Sequence, residues 1–320
     1  MTARVAQGRN LAGLARDALP YAGLVIVILF FSAMSEFFLN TRNFERLVTE
    51  SATLMLVAFG MTLVILLGEI DLSVGAVVSL LAVILAQIMA GGTAWPLAVL
   101  AVLALGLAIG ALNGALTVVG DIPSFIVTLG VMAIATGLAY VFTGSISVAI
   151  MSEPFLVLFY DQRVMGLPVP LWIVGLSLAA LLVFLLRTVP GRELFAVGAN
   201  PAAARLAGVP VRRRKIAVFA IMGLLVGMAA VLSAARLGSG APASVPALTL
   251  DAIAAVIIGG ASLFGGRASL VRTLMGAALI AVLNNGMVLM NVNIDAQYIV
   301  KGVIILLAVV LERLAGGGRT

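Results

Sequence analysis

The chain has 320 residues, 63% of them apolar, with 10% charged side chains, no cysteine, no histidine and a net charge of +6. That composition excludes disulfides, thiolate nucleophiles, imidazole acid–base chemistry and the usual zinc or haem ligands, and it leaves no room for a sizeable soluble domain. The positive charge fits basic residues gathered on the cytoplasmic face of a membrane, and not nucleic acid, because no aromatic residues are interleaved with them.

The apolar residues fall into about ten blocks, most of them long enough to cross the ~30 Å core of a bilayer. In hydrocarbon every backbone N–H and C=O must find a partner inside the protein, so the blocks are read as helices. The expectation is an all-α, polytopic membrane protein, with residues 1–320 as a single transmembrane domain. Arg4, Arg9 and Arg16 make 1–17 a cytoplasmic segment ahead of an uncleaved signal anchor at 18–34. The further predicted spans are 51–68, 72–90, 95–118, 124–142, 171–186, 216–235, 251–263, 274–290 and 297–311. At about 13 residues the eighth is too short to cross alone and reads as re-entrant or sheltered by its neighbours.

With the N-terminus inside, ten crossings put the basic loop 187–215, Arg267, Arg272 and the tail 312–320, with Arg313 and Arg319, in the cytoplasm. Segments 35–50 and 143–167 and the turn at Asp295 fall outside, and Arg236 is the exception to the charge rule. If the eighth block does not cross, this parity fails.

Two stretches resemble one another: LNGALTVV at 112–119 with PSFIVTLG at 123–130, and LNNGMVLM at 283–290 with AQYIVKG at 296–302. Asp71 opens the third span as Asp251 opens the eighth. The topology predicts that the halves are inverted about an in-plane pseudo-two-fold axis, a transporter signature. Chance likeness between apolar, glycine-rich blocks is the competing reading.

Glu69 and Asp71 lie in GEIDLSVG at 68–75, where an unpaired carboxylate costs about 2.5–3.5 kcal/mol at the bilayer centre. Asp71 is expected to cap the third helix with help from Ser73, beside a polar pathway. Asp121 and Asp251 likewise read as starts of the fifth and eighth spans. Lys301 is expected to snorkel to the outer interface, or else to pair with Asp295. Asn113, Asn284 and Asn285 either hydrogen-bond between helices or line a conduit for a hydroxylated solute. The glycines of IIGGASLFGG at 257–266 allow either close helix approach or a break that opens backbone to a cavity.

In the loop, Asn200 is a good N-cap, Pro201 suits the first helical position, and Gly208 with Pro210 makes a stop. The predicted helix is roughly 10 Å long and either docks a partner or lies at the interface as an amphipathic turn. No GxxxxGK[ST] loop occurs, so an ATP-driven step belongs to another subunit. No catalytic, cofactor-binding or metal residue is expected.

GEIDLSVG resembles the GGIDLSVG element of the ribose, xylose and arabinose type permeases of bacterial ATP-binding-cassette importers. AVGANPAAARLAGVPVRRRK resembles their coupling loop, and LDAIAAVIIGGASLFGGRASLVRTLMGAALIAVLNNGM with YIVKGVIILLAV resembles their C-terminal half. The likeness runs from about Asn40 to Leu311; Glu69 departs from the family's glycine, which leaves the backbone there open. The resemblance implies a fold similar to the vitamin B12 importer permease, with two copies forming the pathway. It also implies ATPase modules, often fused in tandem, that carry ATP and Mg, and a periplasmic sugar-binding protein. Coupling to the ATPase would fall to Glu193, Asn200, Pro201, Ala203, Arg205, Leu206 and Gly208. The cargo implied is a monosaccharide, a pentose such as ribose or xylose, crossing the inner membrane by alternating access. Competing readings are an ion-coupled secondary transporter working through Asp71, Asp121 or Asp251, a related branched-chain amino-acid permease and, more remotely, an intramembrane enzyme.

Overall fold

The computed structural model describes residues 11–316; Arg4, Arg9 and Arg319, assigned to the cytoplasmic ends, lie outside them. The element order opens with α1 (Leu11–Met34), α2 (Thr41–Leu66), α3 (Val74–Ala90), α4 (Trp95–Val119) and α5 (Ser124–Thr143). A compact insert follows, made of β1 (Val148–Ala149), α6 (Glu153–Leu156) running on into a π-helical turn, and the hairpin β2 (Arg163–Val164) and β3 (Leu167–Pro168). Next come α7 (Val169–Arg187), α8 (Val189–Ala199), α9 (Pro201–Leu206), α10 (Val211–Leu237) and β4 (Ser239–Gly240). The chain closes with α11 (Leu248–Ile258), α12 (Leu270–Leu289) and α13 (Ile294–Gly316). β1 pairs antiparallel with β4, Val148 facing Gly240.

Among the described residues six helices are long and apolar enough to cross a membrane: α2, α4, α5, α7, α10 and α12. Their burial differs sharply. In α2 and α10, 78% and 67% of the apolar window is inside the protein, against 22% in each of α4, α5 and α7. The first two are therefore the core. The others turn Leu97, Leu100, Ile134, Val141, Leu176 and Val183 outward, an apolar belt that water would not tolerate and lipid does.

α4 crosses α10 closely because Gly106, Gly110 and Gly114 recur at four-residue intervals on one of its faces. A Cβ at Gly110 would lie 2.1 Å from the Phe219 carbonyl oxygen, so only glycine lets the two backbones meet. On α2, Thr62 donates its hydroxyl to the Ala58 carbonyl at 2.7 Å and lies 2.9 Å from the Thr273 hydroxyl of α12.

Packing partners exchange between the halves. α10 packs on α3 and α4 as α2 packs on α11 and α12, and α5 lies on α3 as α13 lies on α11. This pairs α2–α5 with α10–α13, the halves that the LNGALTVV and LNNGMVLM stretches pointed to.

Several boundaries differ from expectation. α2 begins at Thr41, ten residues before its apolar block, because Asn40 caps it by accepting from the Arg42 N–H at 3.0 Å. Segment 187–215 is not a plain loop, since α8 occupies Val189–Ala199 and α10 already starts at Val211. In α8 the Thr188 hydroxyl accepts from the Gly191 N–H at 3.1 Å, and Pro190 sits in the first turn. Hydropathy passes over these segments because their charged residues mask their helix propensity.

Candidate functional site

Three regions of this apolar protein bring charged and polar side chains together around its helix breaks and its cavity. The first is the break between α2 and α3. α2 ends at Leu66, and Gly68 turns the chain with φ +72°. The departure from the family's usual residue at position 69 is thus harmless to the backbone, because the left-handed conformation falls on Gly68. The unwound backbone is satisfied by hydroxyls at the head of α5: Ser124 Oγ accepts from the Ile70 N–H at 3.2 Å and Thr128 Oγ1 from the Leu72 N–H at 3.1 Å. Sequence reading passed over both residues, although Ser/Thr at four-residue spacing just after Pro123 marks one polar helix face.

Asp71 does not cap α3 directly. Its carboxylate accepts from the Ser73 N–H at 2.9 Å and the Ser73 hydroxyl at 2.6 Å, while α3 starts only at Val74, so Asp71 braces the turn ahead of the helix. Asn113 of α4 donates to Ser73 Oγ at 3.2 Å, tying α4 to the break. Asp71, Ser73 and Asn113 are all almost fully buried. Glu69 is compensated by Lys215 at the head of α10, with which it forms an ion pair. Asp121 does not start a helix: it stands exposed at φ +51° in the turn before Pro123, and α5 begins at Ser124.

The second region joins this break to the basic segment. α9 is capped as expected, with Asn200 Oδ1 accepting from the Ala203 N–H at 3.0 Å, Pro201 at its first position and Gly208 at φ +82° beyond its end. Ala203, Arg205 and Leu206 face outward, and Leu206 is 91% exposed. Glu193 of α8 pairs with Arg214 of α10 across the base of the segment. Gly198 seats α8 on the core: a Cβ there would lie 1.9 Å from the Leu66 carbonyl oxygen and 2.7 Å from the Gly266 nitrogen. That Gly266 N–H donates to the same Leu66 oxygen at 2.9 Å. The end of α2, the loop after α11 and the root of α9 thus converge at one point.

Of the roles expected of the IIGGASLFGG glycines, close helix approach is present, and the chain breaks there as well, but none of these residues borders a cavity. Gly259 lets α11 approach α12, and Gly260, Gly265 and Gly266 at positive φ make the break. α11 itself spans 11 residues, about 16 Å of helix. Its start lines a cavity shared with the first half of α2, and the loop after it reaches the end of α2, so α11 is sheltered within the protein.

The third region is that cavity, about 480 Å³, walled by α2, the α10–α11 connection, α12 and α13. Asp251 is the fourth residue of α11, in its first turn and not at its cap, and accepts at Oδ2 from Lys301 Nζ of α13 and from Asn284 Nδ2 of α12, each at 3.1 Å. Lys301 therefore neither snorkels nor joins Asp295. Its pairing is physically preferred because both side chains are buried, 14% and 9% exposed, where a lone charge is expensive. Asn285 and Asn43 exchange reciprocal amide hydrogen bonds of 2.9 and 3.0 Å between α12 and α2. Arg236 lies 3.9 Å from Glu50, which accounts for the one basic residue out of keeping with the charge rule. Outside the helical core, Arg163 of the hairpin grips Glu45 at 2.7 and 2.6 Å, and that carboxylate raises the Arg163 pKa above its usual value.

Among the described residues no three His, Cys, Asp or Glu side chains converge as a metal site requires. A helical bundle with broken helices, a polar cavity and a small exposed helix rooted on the breaks defines a polytopic membrane permease. The chain belongs to the family described as the permease component of the branched-chain amino acid transport system, which matches residues 43–309. It is 38% identical to the ribose import permease protein of Escherichia coli (strain K12) over 292 residues, 90% of this chain and 91% of that one. The ribose import permease protein of Bacillus subtilis (strain 168) is 37% identical over 92% of each chain. The D-allose transport system permease protein of Escherichia coli (strain K12) is 37% identical over 91% of this chain and 89% of its own length. No solved structure matches the chain.

Proposed function

We propose that this chain is the membrane-spanning subunit of an ATP-driven importer that carries a monosaccharide, a pentose such as ribose, across the bacterial inner membrane by alternating access. The observation that carries this reading is the seat of α8 at Gly198, where an outward-facing helix, α9, is rooted on the breaks of both halves. A push on α9 is delivered to the end of α2 and the loop after α11 together, and rigid-body motion of the helices follows. The cargo class is supported by relatives named for ribose and D-allose at near full length.

The six spans, completed by α1, α3, α11 and α13, would make ten passes in one transmembrane domain, arranged like the vitamin B12 importer permease with its halves inverted. Two copies line the pathway; separate ATPase subunits, holding ATP and Mg, grip α9 through Ala203, Arg205 and Leu206; a periplasmic sugar-binding protein delivers solute to the opposite face. Glu193, Asn200, Pro201 and Gly208 hold the coupling segment in shape. Asp71, Ser73 and Asn113 brace the first break, and Asp251, Asn284 and Asn285 border the passage. Both termini lie in the cytoplasm.

Replacing Ala203 and Leu206 by Asp is expected to leave membrane insertion intact and to abolish co-purification with the ATPase and ATP-driven uptake. Co-purification at the wild-type level would overturn the coupling role. Uphill sugar accumulation in vesicles that contain this chain alone would overturn the importer reading as a whole.

A further inference from the structure

The core helices α2 and α10 run antiparallel, and at each end of their contact a carboxylate on the α2 side meets a base on α10. Past the end of α2, Glu69 is hydrogen-bonded to Lys215, the fifth residue of α10. At the far end Glu50, the tenth residue of α2, stands 3.9 Å from Arg236, the last residue but one of α10. Between the two pairs lies Gly60, the one glycine of α2. A Cβ there would meet the Met222 Sδ at 2.2 Å and the Met222 Cα at 3.3 Å, so α10 bears closely on α2 at that level.

The two pairs are in different states. Lys215 is within hydrogen-bonding distance of its partner, whereas Arg236 is not, and its Nε has no hydrogen-bond partner either. Closing the gap at Glu50 to about 2.8 Å takes roughly 1 Å of travel, which a tilt of about 3° supplies over the ~20 Å of helix from Met222 to Arg236. No member of either pair is fully buried, which limits the cost of opening it. The neighbouring charges leave the contrast intact. Arg46, which lines the same cavity as Glu50, sits one turn before it on α2 and moves with it. Asp251 and Lys301 answer each other, and Glu45 is held by Arg163. At the other end Arg212 and Arg213 are exposed, and Arg214 is held by Glu193 of α8, which ties the head of α10 to the segment that carries α9.

The geometry points to a two-ended electrostatic latch, in which α10 rocks on α2 at Gly60 and the pairs Lys215–Glu69 and Arg236–Glu50 close in alternation. The first pair holds the present conformation, and the second takes over when the first lets go. A movement of α9 reaches the latch through Glu193 and Arg214. The inference rests on reading the chain as a transporter driven at α9.

The test reads one end of the latch while the other is altered. Lys215 and Lys301 are the only lysines of the chain. Acetylation of Lys215 by N-hydroxysuccinimidyl acetate, followed by peptide mass spectrometry on the full-length permease in nanodiscs, therefore reports opening of the first pair, with Lys301 as internal reference. Glu50→Gln and Arg236→Gln, about 30 Å of helix away, should each slow Lys215 acetylation by about three- to fivefold, the scale of one partly exposed ion pair, at an unchanged Lys301 rate. The charge-reversed variant, Glu50→Arg with Arg236→Glu, should restore the parental rate. An unchanged or faster Lys215 rate in both glutamine variants, or no restoration by charge reversal, would overturn the latch. ATP-driven sugar uptake by the complete transporter is measured alongside and should fall in the glutamine variants. Full uptake by both sinks the latch alone, whereas absence of uptake by the unaltered transporter sinks the function on which it rests.

Discussion

Lys301 and Asp251 show how an ionisable pair survives inside an apolar bundle. Each charge is costly alone, and the pair is held by geometry and by Asn284, which takes up one more lone pair. Lys301→Met should therefore destabilise the protein strongly, by about 3–5 kcal/mol, by leaving a buried carboxylate unpaired. Adding Asp251→Asn to that variant should recover most of the loss. Melting temperatures of the two singles and the double in detergent check this, and additive losses would show that the pair has no energetic coupling. Of these residues the types and general places were legible in the sequence, but the pairing was not. Lys301 is four residues into its block and six from Asp295, so local spacing favoured the wrong partner; the true one is 50 positions away.

At the level of elements, α9 and the glycine contacts govern the behaviour. α9 has only six residues, and its Asn200 cap is worth about 1 kcal/mol. Asn200→Ala should fray α9, seen as faster amide exchange at Ala203 and weaker ATPase binding, with no change in the melting of the bundle. Gly198→Val acts differently. Even one added carbon meets the Leu66 carbonyl oxygen at 1.9 Å, so α8 must lift from α2. ATP hydrolysis should then persist while sugar uptake falls by at least about tenfold, the signature of a disconnected lever; equal uptake by this variant and the parent would count against the seat. The cap, the proline and the stop of α9 were readable because they act within a few residues. The seat of Gly198 was not, since nothing in its neighbourhood indicates that two breaks from distant parts of the chain will arrive there.

For the whole molecule, the exchange of packing partners between α2–α5 and α10–α13 is what two halves of one ancestral design would leave. The sidedness proposed above rests on the basic residues, and the absence of cysteine makes it simple to test. Leu206→Cys and Met151→Cys place single thiols at positions 91% and 90% exposed. An impermeant maleimide should label Met151→Cys in intact cells and Leu206→Cys only after the inner face is opened. Labelling of both from outside would break the ten-crossing topology.

The sequence by itself determined the solvent, the apolar helices, the two breaks and the cap and stop of α9, because apolar run length, glycine and caps act over one or two turns of chain. The tertiary structure alone decided that Lys215 answers Glu69 across 146 positions, that Asn43 meets Asn285 across 242, and that Lys301 finds Asp251 across 50. Which polar groups meet depends on how helices cross, and crossing is set by side-chain volumes on facing surfaces, a property that no local pattern contains.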